Sequence, residues 1–275
     1  MEADAVRRRL HPEGVVSYAI GCSIDCAAPA DGAFEAIGET AEAGATGVRM
    51  VGRVEGERIE EILRGIRQRF PAIWIEGVPA ADVKSLAAAW GLELRETIAR
   101  LVDAGLDAIA GDGPDLVACD GQRSVEEWVE VHRAAHGLGM RTAAGMVFGA
   151  GETLEQRVDF MEAVRLLQEE TGGFAAFVPV AAEAPGGREL DGVTAVERLK
   201  TLAIARMFLD NIENVQASAA GQGLKVLQMG LRFGANDLGR VGLEGGSEED
   251  VRWIIRDAGF RPAQRDMAYR AMILS

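Results

Sequence analysis

Residues 140–180 run MRTAAGMVFGAGETLEQRVDFMEAVRLLQEETGGFAAFVPV. Both ends are short apolar segments of strand length, Met140–Phe148 and Phe174–Val180. Between them Thr153 can cap the first turn of a helix over Leu154–Glu170. Strand, helix, strand at this spacing predicts a βαβ unit with parallel strands. Parallel strands are covered on both faces, which suits a run as apolar as FAAFVPV.

The unit repeats in both directions. Towards the N-terminus, strands are expected at Val15–Ile20, Thr46–Val51, Ala72–Val78 and Leu106–Ala110. Helices are expected at Asp31–Ala43, ended by Gly44, and at Gly56–Phe70, where Ile59, Ile62, Leu63, Ile66 and Phe70 fall at helical spacing and Pro71 stops the run. Further helices are expected at Ala80–Trp90 and Glu93–Ala104, and from a Ser124 cap, with Glu127 as its capping-box partner, to about Gly137. Towards the C-terminus come a helix over Ala195–Leu209 capped by Thr194, a strand at Val215–Ala217 and a helix over Leu224–Phe233. A last helix, Glu248–Asp257, precedes a mixed segment, Arg261–Tyr269. Such a series predicts an α/β fold, a parallel β/α barrel, more readily than an open doubly wound sheet. The expected division is an N-terminal extension (1–14), the barrel (15–240) and a C-terminal extension packed on it (241–275).

The chain has 275 residues, 48% hydrophobic and 26% charged, enough apolar material for a core of this size. A net charge of −14 argues against nucleic acid as a partner, because it repels phosphate backbones. Three cysteines, an odd and small number, fit a reducing compartment. The first residues are charged, with Arg7, Arg8 and Arg9, and no apolar stretch has membrane-spanning length. A cytoplasmic location with no membrane partner is expected.

In a β/α barrel the chemistry gathers where strands end. Those places carry Val51-Gly52, Glu76-Gly77, Gly111-Asp112-Gly113, Gly149-Ala150-Gly151-Glu152, Gln216 and Ser218 with Gln222 following, then Gly234-Ala235-Asn236-Asp237. Glycines let a ligand approach the backbone, and acids and amides can fix hydroxyl groups, so a nucleoside suits the lining. Tight βα turns account for the same residue types. Glu76, Asp112, Glu152 and Asp237 are the candidate carboxylates. His132 and His136 share a helix face, but no third metal ligand accompanies them. No histidine lies at an expected strand end, which argues against histidine acid–base catalysis.

Several stretches carry a resemblance: HPEGVVSY (11–18), GLELRET (91–97), DAGLD (103–107), EETGGF (169–174), LDNI (209–212), VQAS (215–218), QGLKV (222–226), LRFGANDLG (231–239), IRDAGF (255–260) and QRD (264–266). Together they resemble the radical-SAM family of the futalosine route to menaquinone, above all cyclic dehypoxanthinyl futalosine synthase. Aminofutalosine synthase and the deazaflavin-cofactor synthase subunits are similar less fully. The resemblance implies a radical-SAM barrel, an S-adenosyl-L-methionine cofactor and a [4Fe–4S] cluster. Gly145, Val147, Gly149 and Glu152 match the family's G-x-I-x-G-x-x-E element, with Val147 in place of Ile, and this element helps hold the adenine. Gly52 is similar to the glycine of the element that contacts the methionine moiety. Asp112, Gln216, Ser218, Gln222, Asn236 and Asp237 would hold the nucleoside.

The cluster motif departs from the family. Cys22 and Cys26 have the first spacing of C-x3-C-x2-C, but Pro29 stands where the third cysteine should be. A second alignment pairs Ser23-Ile24-Asp25 with the strand that precedes the motif and removes the cluster loop altogether. Cys119 is the spare thiol, on another βα loop. The family's His-Ser-Phe stretch is here Glu76-Gly77-Val78, and small apolar residues replace its aromatic and charged run at 180–185. Three functions compete: a radical-SAM enzyme acting on a futalosine-like nucleoside; a degenerate member that keeps a nucleoside or SAM pocket or partners a complete enzyme; and a barrel with unrelated carboxylate chemistry. Association into a homo-oligomer is compatible with each.

Overall fold

The structure, a computed structural model, describes residues 2–27, 30–52, 56–117, 125–184, 188–189, 193–217, 223–241, 247–270 and 272–274. A helix, α1 (Glu2–Leu10), precedes the first strand, β1 (Val15–Asp25). There follow α2 (Ala30–Glu42), β2 (Gly47–Val51), α3 (Gly56–Arg69), β3 (Trp74–Gly77), α4 (Ala80–Trp90), α5 (Leu94–Ala104) and β4 (Ala108–Ile109). The second half contains α6 (Val125–His136), β5 (Thr142–Phe148), α7 (Leu154–Thr171), β6 (Phe174–Ala181), the short pair β7 (Glu183–Ala184) and β8 (Arg188–Glu189), α8 (Ala195–Phe208) and β9 (Asn214–Val215). It ends with α9 (Gly223–Gly230), β10 (Asp237–Val241), α10 (Glu248–Asp257), β11 (Arg261–Arg265) and β12 (Met272–Leu274).

Strands β1 to β4 pair in sequence order, all parallel. Strands β5, β6 and β9 form a second parallel group. β10 joins the groups: it pairs parallel with β1, and Gln216 beyond β9 bridges to Asp237. Between β4 and β5 the backbones press together without side chains. A Cβ on Gly145 would lie 2.3 Å from the Gly111 carbonyl oxygen, and one on Gly113 2.2 Å from that of Gly145. Eight parallel strands, β1–β6, β9 and β10, thus surround a lumen, with the helices outside, as expected of a β/α barrel. Capping follows the chemistry read from the sequence: Thr153 and Thr194 accept the Gln156 and Glu197 amides, and Gly91 closes α4 in the left-handed region. No helix among the described residues is long and apolar enough to cross a membrane.

Three elements differ from expectation. β1 does not stop at Ile20; Gly21–Asp25 continue in register with Gly47–Val51 of β2. Its first half pairs with β10 on one side and β11 on the other. Residues 237–241, for which no strand was expected beyond the polar cluster ending at Asp237, form the eighth strand, and Arg265 neutralises Asp237 inside the barrel. Residues 2–10 form a helix fastened by Asp4, which accepts from Arg7 at 2.9 Å and Arg8 at 2.7 Å.

Candidate ligand site in the barrel lumen

Alternation along the strands decides which residues enter the lumen. On β1, Ser17 points in, where its hydroxyl donates to Asp237 Oδ2 at 2.5 Å. Gly21 also faces in, and a Cβ there would meet Arg240 Cδ at 3.4 Å. On β2 the inward positions are Gly47, against Met267, and Arg49. Glu76 of β3, Gly145 and Val147 of β5, Val178 and Val180 of β6 and Gln216 past β9 complete much of the wall. The cavity is about 230 Å³.

Three arginine–carboxylate pairs dominate it. Arg49 is bonded to Asp112. Arg240 Nη1 donates to Glu76 Oε2 at 3.1 Å, and the Gly111 amide donates to Glu76 Oε1 at 3.4 Å. Arg265 Nε and Nη2 grip both oxygens of Asp237 at 2.6 and 2.9 Å, a two-point contact that is wholly buried. Burial alone would raise the Glu76 pKa; Arg240 and Arg49 outweigh it and hold the carboxyl below its ordinary range. Glu76 is therefore an anion committed to guanidinium partners. The Tyr269 ring lies under the Arg265 guanidinium at 3.6 Å, and its hydroxyl donates to Gln216 Oε1 at 3.3 Å. Burial raises the Tyr269 pKa, so the phenol stays protonated.

The other residues singled out from sequence divide by location. Gly145 and Val147 border the lumen, and Gly52 and Gly149 turn the ends of β2 and β5 with φ of +85° and +84°. Glu152 turns inward on its own loop, accepting from the Gly149 and Ala150 amides at 2.6 and 2.9 Å and from Arg157 Nε at 2.7 Å. Asn236 is buried away from the cavity: its oxygen accepts from Arg206 at 2.9 Å and from the Val215 amide, and its nitrogen donates to Asn214. Ser218, Gln222, Pro29 and Cys119 lie outside the described residues. His132 and His136 both lie 2.9 Å from the Thr142 hydroxyl, under α6 rather than in the lumen.

The two described thiols share the outward parity of β1. Tyr18, two pairs of residues earlier in the same alternation, reaches Glu248 of α10. Cys22 sits beside Thr40 of α2, and Cys26 lies among Met50, Ile59 and Leu86, between the sheet and helices α3 and α4. Burial raises the Cys22 pKa and lifts that of Cys26 to about 11, with Asp25 adding to the rise. Such thiols are protonated, and they face away from the cavity. As thiolate ligands to a cluster at the lumen they do not fit.

Arg49, Arg240, Arg265 and Tyr269 were not anticipated. The available signal was Arg49, a lone charge in the apolar run TGVRMV at the inward parity of Gly47. Nothing local marked Arg265, which arrives from the tail.

Comparison with known proteins adds to the geometry. Residues 171–274 match the family model described as the CofH/MqnC C-terminal region. The chain is 32% identical to the cyclic dehypoxanthine futalosine synthase of Streptomyces coelicolor, covering 99% of this chain and 81% of that protein. It is 34% identical to the aminodeoxyfutalosine synthase of Thermus thermophilus (76% and 63% covered). It is 31% identical to the 5-amino-6-(D-ribitylamino)uracil–L-tyrosine 4-hydroxyphenyl transferase 2 of Methanosarcina barkeri (86% and 70%). Among solved structures, the FeFe-hydrogenase maturase HydG from Carboxydothermus hydrogenoformans superposes with a TM-score of 0.72 at 15% identity, over 98% of this chain and 72% of that one. Methylornithine synthase gives 0.66 at 16% identity, over 95% and 87%. At these identities the two structures bear on the fold alone.

Proposed function

The chain belongs to the radical-SAM futalosine family, that of the cyclic dehypoxanthine and aminodeoxyfutalosine synthases, and from this premise we propose that it binds a futalosine-type nucleoside in the barrel lumen without the family's cluster-driven radical chemistry. The observation that carries this reading is the orientation of Cys22 and Cys26. Both side chains face the helical layer, and the pKa of each is raised by burial. A [4Fe–4S] centre needs thiolates directed at one point. Reductive cleavage of S-adenosyl-L-methionine takes its electron through that centre, so a bound sulfonium here stays intact and acts as a ligand only.

The wall of the lumen suits binding. Val147, Val178 and Val180 offer apolar surface to a base or ring, and Gln216 and the paired guanidinium and carboxylate groups offer hydrogen bonds to ribose hydroxyls. Gly145 and Val147 would hold an adenosyl group at the lumen wall, and Glu152 fixes the Gly149 turn that follows them. Glu76 and Asp112, each engaged by an arginine, orient a ligand at the wall, and the wholly buried Asp237 holds Arg265 in place behind it.

The test combines metal analysis with ligand binding. After anaerobic reconstitution, iron and sulfide should stay far below one cluster per chain and be the same in Cys22→Ala. Futalosine derivatives or S-adenosyl-L-methionine should raise the melting temperature, and Arg240→Met should weaken that shift. A full [4Fe–4S] complement that splits the sulfonium under reductant would refute the non-radical reading. No stabilisation by any of these compounds would refute nucleoside binding.

A further inference from the structure

Helices α7 and α8 lie side by side on the outside of the barrel. Arg157 Nη2 donates to Glu197 at 2.7 Å near their starts, and Arg165 Nη1 donates to Asp210 at 2.8 Å near their ends. Helices on a soluble barrel turn polar residues outward. These two do not. On α8 the outward positions Val196, Lys200, Ile204 and Met207 are apolar but for one lysine, with Val196 60% and Ile204 46% exposed. On α7, Leu166 is 58% exposed and Val158 is also open, flanked by the acids Asp159 and Glu162. A shallow groove between the helices is lined by Leu166, Met207 and Phe208 together with Glu162 and the mutually paired Arg165, Glu169 and Asp210.

We propose that this face joins two copies of the chain in a two-fold dimer. Charge selects a second copy as the occupant. Lys200 in the α8 ridge and Asp159 and Glu162 on α7 make no ion pair among the described residues. Arg165 in the groove is already paired with Glu169 and Asp210; a two-fold interface presents the same patch twice, so Lys200 of one protomer meets Asp159 and Glu162 of the other, in both directions. A partner of different chemistry would need its own matching acid and base, whereas this patch supplies both. Contiguous apolar surface framed by charge is the usual composition of such interfaces. Two helices of 18 and 14 residues, rising ~1.5 Å per residue, give a contact at or below the ~800 Å² per partner of a standard interface, so the dimer is concentration-dependent.

Sedimentation velocity of the full chain, from low to high micromolar concentration, tests this. The expected result is a monomer–dimer equilibrium that Ile204→Glu shifts at least tenfold towards monomer, with an unchanged circular dichroism melt because the site is exposed. Lys200→Glu should weaken the dimer, and adding Glu162→Lys should restore it. A monomer at every concentration would overturn the proposal, as would a dimer indifferent to Ile204→Glu, or a Lys200→Glu defect that Glu162→Lys fails to rescue.

Discussion

Asp237 shows how much one buried carboxylate can organise. It accepts from Ser17, takes both donors of Arg265, and its oxygen Oδ1 also accepts the Gly239 amide at 2.8 Å. Removing one partner of a buried pair strands the other charge. Asp237→Asn should therefore cost about 3–5 kcal/mol of stability in urea denaturation. Replacing both partners, Asp237→Leu with Arg265→Met, should recover much of the loss if the charge alone is responsible. At this scale the sequence was partly legible. Asp237, Glu76 and Asp112 stood out as acids near strand ends, and all three point into or border the lumen. Their arginines did not stand out, because a cation's partner is fixed by the position of a distant strand and not by spacing along the chain. Asn236 looked equivalent to Asp237, yet adjacent strand residues face opposite sides, and Asn236 is held by Arg206 outside the lumen.

The packing of α6 on β5 depends on a small polar network in an apolar setting. Trp128 stacks on Phe174, and His132 lies 4.0 Å from Trp128, ring to ring. His136 also reaches Thr171 at 2.8 Å. Burial lowers the His136 pKa to about 4, and burial together with the neighbouring His136 lowers that of His132 well below its usual value. Both rings are neutral in the fold, while in the unfolded chain they gain protons below about pH 6.5. Acid therefore favours unfolding: the urea midpoint should decline as pH falls from about 6.5 towards 4, over and above the carboxylate contribution, and less so in His136→Gln. Thr142→Val removes the hydroxyl that both rings use and should cost about 1–3 kcal/mol at pH 7. Closure between β4 and β5 makes a separate demand. Gly145→Ala would set a methyl against the Gly111 carbonyl, which belongs to backbone and cannot rotate away, and thermal melts should show a loss of about 1–3 kcal/mol. Most elements were readable because amphipathic period and caps are local. β1 was not read to its end: Gly21 resembles a terminator, but here it makes room for Arg240 and the Gly47 carbonyl.

Across the whole molecule, the tail and the first strand are one structural unit. β11 pairs with Val15–Tyr18, Met267 packs on Gly47, and Arg265 enters the lumen. Deleting residues from 261 onward should leave Asp237 unpaired and one edge of β1 open, and calorimetry should show a broad, non-cooperative transition in place of a single sharp one. The sequence by itself determined the alternation of strands and helices, and with it a parallel α/β fold that suits a barrel better than an open sheet, since hydrophobic period and turn residues act over a few neighbours. It also determined the family, through long stretches of matching residues. Which way Cys22 and Cys26 face, which arginine neutralises which acid, and that residues 237–241 close the barrel were decided only in the tertiary structure. A strand's inward face depends on its register with other strands, and a buried charge is tolerated only where folding brings its counter-charge.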